Sequence, residues 1–175
     1  MTDRGRILDA QTLGDHVDRL YRAAWAMCGS RDDAEDLVQD TFARVLAKPR
    51  RVRNDDDIGY LLQALRNTFI STRRAAGRRI APVPVPEGFE PPDLSSTGQP
   101  EQAARARELF AVIASLKDVY RDALVAVDVV GLSYGEAAVA LQTKEATITS
   151  RVYRARMQVA AGMESPATGV LDGEG

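Results

Sequence analysis

Apolar residues recur at three- and four-residue steps along most of this chain, with no sustained alternation of apolar and polar positions, so the pattern predicts helices and not half-buried strands. Leu13, Val17, Leu20, Tyr21, Ala24, Met27 and Cys28 mark one face of a first helix, which Gly29 ends. Ser30 stands three residues before Asp33 in a capping pattern. A second stripe follows through Ala34, Leu37, Val38, Phe42, Val45 and Leu46 until Pro49 stops it. Ile58, Leu61, Leu62, Leu65 and Phe69 predict a third helix, whose end carries Arg73, Arg74, Arg78 and Arg79, favourably placed against the helix dipole.

The second half repeats the helical spacing. Ala104, Leu109, Val112, Ile113 and Leu116 predict a helix over 101–116, and another covers 119–130 before Gly131 breaks it. Ser133, with Glu136 three residues on, caps the next helix, which turns Tyr134, Ala137, Ala138 and Leu141 inward. The last helix, from Lys144 to about Ala161, lines up Ile148, Val152, Ala155 and Val159, which sets Ser150, Tyr153 and Arg154 on the opposite side. Two short helices joined by a tight turn predict a helix-turn-helix.

Between the halves, residues 81–100 carry six prolines interleaved with Gly and Ser. Such a segment denies helix. Extended, its twenty residues reach at most about 60 Å, so the halves can sit far apart. The expected architecture is all-α: a helical domain over 1–80, a Pro-rich flexible linker over 81–100, a helix-turn-helix domain over 101–162, and a loose tail over 163–175.

Helix formers dominate the 175 residues, aromatics are 6%, and 45% hydrophobic residues suffice for a core. Neither a signal-peptide stretch nor the roughly 18 consecutive apolar residues of a membrane span appears, so the expected location is the cytoplasm, without a membrane partner. Cys28 is the sole cysteine and is expected to be a buried thiol; His16, the sole histidine, reads as a surface residue. With no Cys/His metal spacing and no phosphate loop, no cofactor or metal is expected.

The net charge of −2 understates the chain, because its charges are sorted. Acid collects in Asp32, Asp33, Glu35, Asp36 and Asp40. Base collects in 48–53, 66–79 and 144–156. One acidic and several basic surfaces imply two kinds of partner. A recognition helix needs an apolar back and a polar, basic front, and 144–156 has both: Thr149, Ser150, Tyr153 and Arg154 would face base edges, and Lys144, Arg151 and Arg156 phosphates.

The stretch GLSYGEAA, then Thr147, Ser150-Arg151 and Tyr153 to Arg156, resembles the GLSYEEIA…TVKSRLHRAR pattern of sigma region four. RDDAEDLVQDTF at 31–42 resembles the same family's DAEDLVQETF segment. YLLQALRNTFISTRR at 60–74 resembles WLYTIARNLAIDRLRR, with Arg66-Asn67 the firm match. The chain is thereby similar to the extracytoplasmic-function type of bacterial sigma factor, which implies a non-enzymatic initiation factor. Its implied partners are RNA polymerase core, promoter DNA and an anti-sigma protein.

The resemblance implies residue roles. Asp33, Asp36, Gln39 and Asp40 would meet core polymerase. Arg50, Arg51, Arg53, Asn54, Tyr60, Arg66, Asn67, Arg73 and Arg74 would open and read the minus-ten element, with the loop 50–57 accepting an unstacked base. Lys144, Thr147, Thr149, Ser150, Arg151, Tyr153, Arg154 and Arg156 would read the minus-thirty-five element. Gln142 stands where the family usually has Gly, Thr143 replaces an apolar residue, and Thr149 replaces Lys or Arg, which bears on upstream reading. The 60 Å reach fits elements about two DNA turns apart, at roughly 34–36 Å each.

Two other readings are open. A helix-turn-helix regulator could act without polymerase, although the acidic helix then has no role. Asp32-Asp33-x-x-Asp36 also fits the magnesium-binding carboxylate pattern of diphosphate-dependent isoprenyl synthases, but no second acidic motif is visible.

Overall fold

The computed structural model describes residues 6–52, 56–76 and 99–165. Helix α1 (Ala10–Cys28) starts at Asp9, whose carboxylate accepts a hydrogen bond from the Thr12 amide at 2.8 Å, and ends at Gly29 in the left-handed region, φ 76°. Ser30 caps α2 (Arg31–Ala47) by accepting from the Asp33 amide, and α3 spans Asp57–Ala76. Two two-residue strands, β1 (Arg6–Ile7) and β2 (Arg51–Val52), pair antiparallel, Arg6 opposite Val52. The helical pattern gave no sign of this ladder; it holds Arg6–Ile7 beside the segment that joins α2 to α3.

Leu13, Leu20, Leu61, Leu62 and Leu65 are completely or almost completely buried where α1, α2 and α3 meet. Truncating a leucine in such a core to alanine costs about 2–5 kcal/mol. The expected single apolar face of α1 is too narrow an account. Ala23 to Met27 are buried all round, because α1 is also covered from the other side by the C-terminal half.

That half comprises α4 (Pro100–Ser115), α5 (Asp118–Leu124), α6 (Tyr134–Ala140) and α7 (Glu145–Glu164). Pro100 is the first residue of α4, a position that spares the missing amide, and so lies in a helix where the sequence suggested linker. The helix expected over 119–130 is α5 continued by a π-helical segment, Val125–Val129, before Gly131 at φ 84°. Ser133 and Glu136 form a reciprocal capping box on α6. Ile148, Val152 and Ala155 of α7 are fully buried.

The α6–α7 turn shows why Gln142 is unusual. Thr143 donates its amide to the Ala138 carbonyl at 2.9 Å and Gln142 to that of Val139 at 3.1 Å, so α6 ends in a Schellman arrangement. The residue after the cap must then be left-handed. Gln142 occupies that position at φ 52°, the only non-glycine with positive φ among the described residues.

The halves are in contact, whereas the linker composition alone allowed them to lie far apart. Gly29 brings α1 close enough to α4 that a β-carbon there would sit 3.1 Å from that of Ala114. Trp25 of α1 packs on Phe110 of α4 with ring centroids 4.6 Å apart. Arg19 donates to the Val130 carbonyl through Nε at 3.0 Å and Nη2 at 2.7 Å. The linker from 81 to 98 and the tail from 166 onward lie outside the described residues.

Candidate nucleic-acid and polymerase interfaces

The C-terminal end of α2 and one side of α3 enclose an open cleft of about 270 Å³. Its wall on α3 is the stripe Tyr60, Gln63, Ala64, Asn67, Thr68 and Ser71, at three- and four-residue helical spacing, and its rim carries Arg44, Lys48 and Arg50. A cleft slightly below the usual ligand range of roughly 300–1,000 Å³ suits one flat ring and not an extended molecule. Three cations attract phosphate, the half-buried Tyr60 ring offers a stacking surface, and Asn67 offers both a donor and an acceptor. Of the expected minus-ten residues, Arg50, Tyr60 and Asn67 meet here. Arg44 and Gln63 were not singled out from sequence, although the 60-63-67-71 spacing carried the signal.

The remaining members of that set are placed differently. Arg51 is exposed on β2 and Arg74 on the last turn of α3; Arg53 and Asn54 lie outside the described residues. Arg66 and Arg73 face the C-terminal half. Arg66 Nε donates to Asp122 Oδ2 at 2.6 Å, and Arg73 Nη1 lies 3.3 Å from Asp118 Oδ1.

On α2, Asp33 and Asp36 are exposed on the side away from the buried Leu37, Val38 and Phe42. Gln39 is half-buried and donates to Glu35 at 3.4 Å. Asp40 already has a partner, Arg44, at 3.1 Å. Asp32, Asp33 and Asp36 are therefore the exposed carboxylates of this helix, while Asp40 is half-buried and paired. These carboxylates do not converge on a metal: among the described residues no group of three Asp, Glu, His or Cys side chains is placed to hold one.

The α7 face holds the expected upstream set. Tyr153 is 67% exposed, Arg154, Lys144, Thr149 and Ser150 are exposed, and Thr147 and Arg151 are half-buried. Thr149 donates its hydroxyl proton to the Glu145 carbonyl and Ser150 to that of Thr147, each at 3.0 Å, which leaves both oxygens able to accept. Arg154 hydrogen-bonds the Tyr120 hydroxyl and so lowers that phenol's pKa. Arg156 is held in a two-point ion pair by Asp128.

His16 is half-buried and not an open surface residue. Cys28 is also half-buried, and desolvation, assisted by Asp33, pushes its thiol up to about 12. No helix among the described residues is long and apolar enough to cross a membrane.

Residues 13–79 match the Sigma-70 region 2 family and residues 106–159 the Sigma-70, region 4 family. The chain is 34% identical over 153 residues to the ECF RNA polymerase sigma factor SigE of Mycolicibacterium smegmatis, covering 85% of this chain but 59% of that protein. It is 34% identical over 148 residues to the ECF RNA polymerase sigma factor EcfG of Rhodopseudomonas palustris, covering 83% of this chain and 79% of that one. The structure resembles the sigma factor RpoE of Bartonella quintana, solved in complex with the anti-sigma factor NepR. The TM-score is 0.64 at 26% identity, over 88% of this chain and 95% of that one. It also shares the fold of CnrH, solved with the cytosolic domain of CnrY, at TM-score 0.57 and 20% identity over 89% of this chain and 90% of that one.

Proposed function

The chain belongs to the ECF RNA polymerase sigma factors of the sigma-70 type, and from that premise we propose that it binds bacterial core polymerase and directs it to promoters. The observation that carries this reading is the cleft between α2 and α3. It combines a stacking ring at Tyr60, a base-edge amide at Asn67 and cations at Arg44, Lys48 and Arg50 in a space for one ring. A flipped minus-ten base fits that chemistry, with the unstacking cost of a few kcal/mol offset by contact energy.

In the same reading Asp33 and Asp36, with Gln39 and Asp40 beside them, face basic residues of core polymerase. Lys144, Thr147, Thr149, Ser150, Arg151, Tyr153 and Arg154 meet the minus-thirty-five element. The first domain works over 1–80 and the helix-turn-helix domain over 101–162. Catalysis belongs to polymerase, so the protein acts by binding alone, in the cytoplasm. An anti-sigma protein is a further partner, by analogy with the sigma factor RpoE solved in complex with the anti-sigma factor NepR.

The test is assembly on native gels with purified core polymerase, followed by promoter opening scored by the reactivity of unpaired thymines. Assembly with opening supports the reading. A folded chain that binds promoter DNA but never core polymerase would be an independent helix-turn-helix regulator.

A further inference from the structure

The upstream face of α7 is bordered by a helix outside the helix-turn-helix. Helix α5 packs against α7, and its first turn is held by the Tyr120 and Arg121 amides, which donate to the Lys117 carbonyl at 2.9 and 3.0 Å. Tyr120 is half-buried, and its hydroxyl meets the Arg154 guanidinium of α7. The hydrogen bond from Arg154 does most to lower the phenol's pKa, and the charges of Arg154, Lys117 and Arg151 lower it further against partial desolvation. Three cations, one beside α5 and two on α7, therefore converge on one hydroxyl.

The cluster keeps the donors that an anion needs. A guanidinium only donates, so the Tyr120 oxygen accepts from Arg154 and retains its own proton to give. Arg156, two residues on, is satisfied by Asp128, and Asp118, the acid next to Lys117, meets Arg73 at 3.3 Å and Arg121 at 3.0 Å. Among the described residues, none of Lys117, Arg151 and Arg154 is ion-paired. Lys117 and Arg154 are exposed and Arg151 is half-buried, so all three reach solvent on the side where α7 is open.

We propose that α5 belongs to the upstream-DNA interface: the Tyr120 hydroxyl holds Arg154 toward a base edge and, with Lys117 and Arg151, binds the backbone phosphate beside it. This rests on the sigma-factor reading. A phosphate oxygen accepts from hydroxyl, ammonium and guanidinium alike, and such contacts fix position without carrying sequence information. Discrimination comes through Arg154, whose guanidinium, tethered at Tyr120, gives up less rotamer freedom when it forks onto a base. Lys117 thus contributes affinity for any sequence, whereas Tyr120 is a positioning residue for the one arginine that reads a base.

The test uses holoenzyme made from core polymerase and the full chain, bound to double-stranded promoter fragments over a range of salt. The upstream element is intact or changed one base at a time. Lys117 is exposed, so Lys117→Ala leaves the core untouched. It is expected to weaken all fragments alike by several-fold and to lower the slope of log K against log[salt] by about one, as for a lost phosphate contact. Tyr120→Phe keeps the ring and should leave that slope unchanged, since a neutral hydroxyl releases no counterion, but should cut discrimination several-fold at the base read by Arg154. In an Arg154→Ala background the same change should cost no further discrimination. An unchanged slope in Lys117→Ala, undiminished discrimination in Tyr120→Phe, or equal losses with and without Arg154 overturns the inference while the wild-type holoenzyme still binds. A wild-type chain that forms no holoenzyme removes the sigma-factor reading and this inference together.

Discussion

Arg156 on α7 donates from Nε to Asp128 Oδ2 at 2.9 Å and from Nη2 to Oδ1 at 2.7 Å, so its guanidinium ties α7 to the π-helical segment. Arg154, two residues earlier and so about 200° round the helix, hydrogen-bonds the Tyr120 hydroxyl instead. Two arginines of one recognition helix therefore have different expected roles. Arg156→Ala should lower stability by at most about 1 kcal/mol, because the pair is partly exposed, and leave upstream DNA affinity nearly unchanged. Arg154→Ala should leave stability unchanged and cost about 1–3 kcal/mol of discrimination at one upstream base. Urea denaturation and holoenzyme binding to promoters randomised upstream separate the two.

Gln142 is held left-handed by the Schellman arrangement at the end of α6. A non-glycine residue there costs roughly 1–2 kcal/mol, and glycine gives back about 0.4–1 kcal/mol through a more flexible unfolded chain. Gln142→Gly should therefore raise unfolding stability by about 0.5–1 kcal/mol. Gln142→Ala should not. Chemical denaturation of the three proteins decides.

The acidic face of α2 predicts a binding defect without a folding defect. Asp36 is exposed and Asp40 only half-buried, so Asp36→Arg with Asp40→Arg should fold, at a small cost from placing a new cation beside Arg44. Affinity for core polymerase should fall by about 2–5 kcal/mol if both carboxylates meet basic residues. Circular dichroism checks the fold and fluorescence anisotropy with core polymerase the affinity.

Cys28 predicts a pH dependence. Its thiol is raised to about 12 in the folded protein, against 9.0 for the free group, so the neutral form is favoured by folding. That stability is fully present below the unfolded pKa and is lost as pH rises from there toward the folded value. Iodoacetamide should label Cys28 at pH 8.5 far more slowly in the native chain than in urea. Equal rates would contradict the shielded thiol.

What was legible in the sequence was what is local. Gly29, Ser30, Gly131 and Ser133 set helix ends within a few residues of themselves, and each stands in the structure where its chemistry placed it. The π-helical segment at 125–129 was not legible, because Leu124 to Val130 is apolar at every position but Asp128 and so shows no phase for an added residue to shift. Nor was the all-round burial of Ala23 to Met27, which depends on a covering half more than seventy residues away. The site divides the same way. The Tyr60 to Ser71 stripe follows from helical period, whereas Arg66 with Asp122 joins positions 56 apart with no local pattern linking them.

The central claim is that this chain confers promoter recognition on polymerase. Single-round run-off transcription measures it directly, with purified core polymerase, the full chain and a library of genomic promoters. The account predicts discrete transcripts that are absent with core polymerase alone and absent with the Asp36→Arg, Asp40→Arg variant. A folded wild-type chain that yields no transcript beyond those of core polymerase alone would contradict it.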